Sequence, residues 1–160
     1  MSHPRTAGRE AALQYLYMHD VLTGKDVPPF PVWLGQQHPP PDADSAAFAG
    51  QLVDAVLQHL TELDADIAAV AANWDVARMA VVDRNILRLG LAELTVHPDT
   101  SHKIILNEAV ELAKRYSSED AGAFVNGLLD KLRIKLRPET VSESNAAAEP
   151  AGPGQDSPAG

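Results

Sequence analysis

The sequence predicts an all-α fold, a single domain of about six to seven helices. Apolar residues recur at helical spacing in residues 7–22, 44–67, 78–97 and 103–136. A length of 160 residues with 45% apolar content suits one helical core that needs no covalent staples.

The first helix spans residues 7–22, with Ala12, Leu13, Leu16 and Tyr17 at helical spacing and Arg5 and Arg9 at its start. Residues 23–44 contain Pro28, Pro29, Pro31, Pro39, Pro40 and Pro41 and read as a loop that cannot be helix. The loop is either pinned by Phe30, Trp33 and Leu34 or mobile, and its aromatics could instead form a peptide or dimer contact. From Asp44 or Ser45 the residues Phe48, Leu52, Val56, Leu60, Leu63 and Ile67 run at i, i+4 steps. Thr61 with Asp64 offers a capping box, so a break can divide this run into two helices. Trp74 marks the next corner.

A helix over residues 78–97 follows, with Met79, Val82, Ile86, Leu87, Leu89, Gly90, Leu91 and Leu94 filling more than half its circumference. Arg84, Asn85 and Arg88 cluster on the remainder. Asp83 and Glu93 project within the apolar arc, where an unpaired carboxylate is costly. Either they pair with core-facing cations, or the arc continues as a surface covered by another protein. Pro98 and its polar neighbours end this helix.

Residues 103–136 carry the clearest pattern. Ile105, Leu106, Ala109, Val110, Leu112, Ala113 and Tyr116 share one arc. Ser117 is placed to cap a last helix, with Asp120 facing its positive end. There Ala121, Val125, Leu128, Leu129, Leu132 and Leu136 form the core stripe, and Phe124 lies at its edge. Asp120, Lys131 and Lys135 fall on the same side as Phe124. A border aromatic followed by cations suits a single-stranded nucleic acid, whose bases stack while phosphates meet the ammonium groups. The same pattern also fits peripheral core beside a solvated face. Gly122 and Gly127, inside this helix, suit close approach of another helix or of RNA. Residues 138–160 are acidic and rich in Ala, Pro, Gly and Ser, which predicts a disordered tail after a folded unit of residues 1–137.

A net charge of −9 argues against nucleic acid until its distribution is read. Residues 26–75 hold eight acids and no Lys or Arg, whereas residues 76–137 hold ten cations against eight acids. The basic groups therefore belong to the two ends of the folded part. The absence of cysteine excludes disulfides, zinc–cysteine sites and thiol catalysis. No apolar stretch is long enough to cross a bilayer, and Met1-Ser2-His3-Pro4-Arg5 opens no signal peptide, so a cytoplasmic protein is expected. The six histidines show no metal-ligand spacing, and no phosphate loop or nucleophile elbow is present. Neither catalytic residues nor a metal nor a cofactor is expected.

Within residues 107–131 the elements Asn107-Glu108-Ala109, Glu111-Leu112-Ala113-Lys114, an acidic corner, and Phe124-Val125-Asn126-Gly127 with Leu129-Asp130-Lys131 resemble the C-terminal signature of the NusB family of bacterial transcription antitermination factors. Val82-Asp83-Arg84-Asn85-Ile86-Leu87-Arg88 with Glu93-Leu94, and Arg9-Glu10-Ala11-Ala12-Leu13-Gln14-Tyr15-Leu16-Tyr17, resemble two earlier helices of the same family. The resemblance implies helices packed as two bundles. It also implies binding, jointly with ribosomal protein NusE, to the boxA element of nascent ribosomal RNA within an RNA polymerase antitermination complex. RNA contact is implied for Arg5, Arg9, Asp120, Phe124, Lys131 and Lys135. An interface with NusE is implied for Asp83 and, by position, Tyr17. The chain departs from the family at Thr6-Ala7-Gly8, where a denser arginine cluster is usual, and at Ala121-Gly122-Ala123. Two other readings stand beside this one: a homodimeric helical scaffold that binds no RNA alone, and a relative of the RNA-targeting domain of RNA cytosine methyltransferases. The length leaves no room for a cofactor-binding sheet beside these helices.

Overall fold

Seven α-helices and one 3-10 turn make up the described residues, 4–138, of the computed structural model. In order they are α1 (Pro4–Val21), α2 (Phe30–Gly35), α3 (Ala43–Gln58), α4 (Leu60–Val70), the 3-10 turn (Val76–Arg78), α5 (Val81–Val96), α6 (His102–Tyr116) and α7 (Glu119–Leu136). The expected tail, residues 139–160, lies outside the described residues. No helix among the described residues is long and apolar enough to cross a membrane.

The two most extensively packed helix pairs are α1 with α3 and α6 with α7, and α5 touches both pairs as well as α4. Every residue of α5 from Asn85 to Leu94 is buried. At Gly90 a Cβ would stand 2.7 Å from Leu129 Cδ1, so the missing side chain is what lets α7 approach α5 this closely.

Local chemistry explains the boundaries, and some differ from expectation. The proline-rich segment contains a helix after all. Pro29 is the N-cap of α2 and Pro31 lies in its first turn, where a missing N–H leaves no bond unmade. Phe30 and Leu34 are buried, the Tyr15 hydroxyl donates to the Pro28 carbonyl at 2.7 Å, and the Tyr15 ring meets Phe30 edge-on at 5.1 Å. The segment is thus pinned to α1. The break between α3 and α4 falls at His59, two residues before the Thr61 expected from sequence. Ser118, one residue beyond the expected Ser117, caps α7 by accepting the Ala121 N–H at 3.1 Å. Leu136, expected in the core stripe, is exposed at the end of α7. Its neighbour Arg137 turns back and donates to the carbonyl of Leu94, in the last turn of α5, and to those of His97 and Thr100 in the turn that follows.

The polar residues of α5 are the largest correction. Arg84, Asn85 and Arg88 do not form an outer face: Asn85 is 1% and Arg88 7% exposed. Asp20 of α1 accepts from Arg84 Nε and Nη2, both at 2.8 Å, and from Asn85 Nδ2 and Arg88 Nη1, both at 2.9 Å. Arg88 also grips Asp64 of α4 through two bonds of 2.8 Å. One network therefore ties α1, α4 and α5. Burial pushes the Asp20 carboxyl up, but hydrogen bonds from Arg84 and Asn85 and the charges of Arg88 and Arg84 outweigh it and hold its pKa at about 2.

Because that value lies below the ordinary carboxylate range, the stabilisation is complete above about pH 4 and is lost as pH falls through about 2. Its size is about 2 kcal/mol. Asp20→Asn should lower stability at neutral pH and flatten the acid limb of the stability profile. Denaturant unfolding followed by circular dichroism from pH 7 to pH 2 measures both, and unchanged acid limbs would refute the assignment.

Candidate nucleic-acid and protein interface

An α-helix advances 100° per residue, so residues seven and eleven positions after Phe124 fall within about 20° of it, and Asp120 within about 40°. Lys131 and Lys135 are exposed, as is Asp120, and Phe124 is half-buried. α7 thus presents a strip of one acid, one aromatic edge and two ammonium groups. Gly127 borders this strip, and nothing lies within 4 Å of where its Cβ would be, whereas Gly122 packs against Lys114 and Val110 of α6.

Phe124 is not alone. Trp74, in the corner after α4, meets it edge-on with ring centroids 5.3 Å apart, and 60% of Trp74 remains exposed. The two rings line a cavity of about 370 Å³ together with Arg78, Asp83 and Asp120. Sequence reasoning placed Asp83 with a protein partner and Phe124 with RNA; the fold brings both to one cavity. It missed Trp74, whose only signal was a large aromatic in a polar corner. Asp83 is half-buried in the first turn of α5, and its Oδ1 is buried without a hydrogen-bond partner. Tyr17 is 43% exposed on α1, one turn before the Asp20 that binds Arg84, the neighbour of Asp83.

The N-terminal arginines are arranged differently from expectation. Arg9 is 5% exposed, donating from Nε to Glu93 Oε1 at 2.8 Å and from Nη2 to Glu93 Oε2. Its Nη1 reaches Glu108 Oε1 at 3.2 Å, an oxygen that also accepts from Thr6 Oγ1 at 2.8 Å. A guanidinium this buried, with each of its three nitrogens bonded to a carboxylate, is out of reach of phosphate, so Arg9 joins α1 to α5 and α6 instead. This also answers the Glu93 question in favour of internal pairing. Arg5 is half-buried, bonding Thr100 Oγ1 at 2.9 Å and lying 5.1 Å from the centroid of the Phe48 ring. Gly8 could not be basic, since a Cβ there would meet the Ser45 carbonyl oxygen at 2.9 Å. At Gly8, close packing of α1 on α3 is what excludes a basic side chain.

Comparison with known proteins follows the same lines. A sequence model of the NusB family matches residues 6–133. The transcription antitermination protein NusB of Sorangium cellulosum (strain So ce56) is 46% identical over 132 residues, spanning 82% of this chain and 93% of that protein. Among solved structures, T. maritima NusB superposes with a TM-score of 0.73 at 31% identity, covering 82% of this chain and 92% of that one. A chain from the crystal structure of antitermination factors NusB and NusE in complex with dsRNA superposes with a TM-score of 0.70 at 30% identity, covering 82% and 97%.

Removing one member of a buried ion pair strands the other, at a cost of about 3–5 kcal/mol. Arg9→Ala should therefore destabilise the fold by that amount, whereas replacing Arg9 and Glu93 together by Met and Leu should restore most of the loss. Chemical denaturation of the two variants tests this; a stable Arg9→Ala protein would return Arg9 to the surface.

Proposed function

The chain belongs to the NusB family of transcription antitermination proteins, and from that premise we propose that it binds boxA-type RNA of nascent ribosomal RNA transcripts jointly with ribosomal protein NusE. The two form part of a cytoplasmic RNA polymerase antitermination complex. The protein works by binding, not by catalysis: it holds RNA on a shared surface so that polymerase does not stop early. The observation that carries the RNA side is the α7 strip, where a half-exposed Phe124 ring is followed by two exposed lysines along one line. A base stacks on the ring while Lys131 and Lys135 meet phosphates, and Asp120 flanks the path. A related chain crystallised with NusE and dsRNA supports the choice of partners.

The charge balance supports a joint surface over an independent one. With a net charge of −9 the protein repels RNA at long range, and Arg9 lies in the core. Arg5 remains a candidate contact at the edge of the arm. Asp83 and the exposed Tyr17 are assigned to NusE, which then contributes its own share of RNA contacts.

Affinity for a boxA-type RNA, measured with and without NusE at two salt concentrations, tests the reading. Tight, salt-sensitive binding that requires NusE is expected; no binding in either case moves the function to a homodimeric, protein-only scaffold. Phe124→Ala should weaken RNA binding by about 1–3 kcal/mol with helicity intact. Lys131→Ala and Lys135→Ala should each reduce the salt slope by about 0.7. Asp83→Lys should abolish the NusE complex without unfolding the domain, and a complex that survives it refutes the assignment of Asp83.

A further inference from the structure

We propose that the cavity between Trp74, the first turn of α5 and the first turn of α7 is a receptor for one cationic side chain, an arginine or lysine, of the protein partner. The proposal rests on the reading that this chain pairs with NusE, and adds the chemistry of the contact and a residue, Trp74, that anchors it.

Four features of the cavity point to a cation. Asp83 Oδ1 is buried with no donor among the described residues, and a carboxylate oxygen withdrawn from water needs one. Asp83 and Asp120 line the same space opposite a single cation, Arg78, which leaves the cavity net negative. The indole of Trp74 is 60% exposed, with the Phe124 ring packed against it at an interplanar angle of 69°, so most of the indole surface remains open to a partner. Indole is the strongest cation–π partner among the side chains. Finally, about 370 Å³ is the volume of a small-ligand pocket, room enough for the end of a long side chain.

The same features disfavour nucleic acid inside the cavity. A phosphate entering it would face two carboxylates, while the lysines that suit phosphate lie further along α7. Phe124 stands on the boundary, with one side toward Trp74 and the strip of lysines continuing beyond it. Protein and RNA thus meet α7 side by side, and a partner side chain seated against Trp74 would steady the ring on which a base stacks.

The test uses the full chain with Trp33→Phe, which leaves Trp74 as the one tryptophan of the two in the sequence. Purified NusE and a boxA-type RNA are titrated separately while Trp74 emission is followed, and light scattering records whether a complex forms. NusE should change Trp74 emission, and RNA without NusE should not. In the otherwise natural chain, Trp74→Ala and the isosteric Asp83→Asn should each weaken NusE binding about tenfold, with helicity unchanged. A NusE complex in which Trp74 emission stays constant, or in which Asp83→Asn binds with full affinity, overturns the receptor while leaving the pairing with NusE in place. A Trp74 response to RNA alone reassigns the cavity to nucleic acid and also overturns it. Failure of any NusE complex to form sinks both the pairing and the receptor.

Discussion

Burial of charge along α5 is the constraint on which the rest of the structure depends. A helix enclosed from Asn85 to Leu94 places Arg88 and Glu93 where water cannot reach them, and each must find an opposite charge inside the protein. Asp20 and Asp64 answer the arginine, and Arg9 answers the glutamate. These partners come from α1 and α4, so neutralising α5 also fixes the position of the helices around it. Hydrophobic contact alone would allow α1 to slide or rotate on α5; two separate guanidinium–carboxylate clusters, one near each end of α1, do not.

That constraint decides which charges remain for binding. Arg88 and Arg9 are absorbed by the interior, the half-buried Arg84 is held by Asp20, and Arg137 is occupied by the carbonyls of Leu94, His97 and Thr100. Positive charge left at the surface is concentrated on α6 and α7, including Lys103, Lys114, Lys131 and Lys135. An acidic protein can present a local basic strip because its acids in residues 26–75 belong to other elements, and screening limits their reach to about 10 Å at moderate salt. The proposed sharing of RNA contact with a second protein has the same origin. Cations that stabilise the fold are not available to neutralise phosphate.

The corner carrying Trp74 links the two surfaces. It joins α4 to α5, stands over the first turn of α7, and places an aromatic beside Phe124 that neither helix could supply. Negative groups gather on the Asp83 side and ammonium groups along the later turns of α7. Under the proposed function, this change of sign over a short distance along one helix would let two partners of opposite charge bind next to each other without competing.

Apolar spacing alone specifies most of the helices, though not α2. Spacing of apolar residues is a local property, repeated every three or four positions, and it located most of α1, α3, α5, α6 and α7 together with the Phe124, Lys131 and Lys135 strip. Local reading failed where a local rule has an exception: Pro31 is tolerated in the first turn of α2, and Leu136 keeps the core period past the point where its helix has neighbours. Tertiary structure alone decided which charged residues are bonded and which are free. Arg84 and Arg88 share a turn with exposed positions on any helical wheel, yet Asp20, 64 and 68 positions away, draws them inward. Arg9 and Glu93 are 84 positions apart: the apolar arc around Glu93 called for a cation, but nothing local pointed to Arg9 as that cation. Periodicity is set by bonds along one helix, whereas the fate of a charge is set by what another helix brings within 3 Å of it, and that depends on packing.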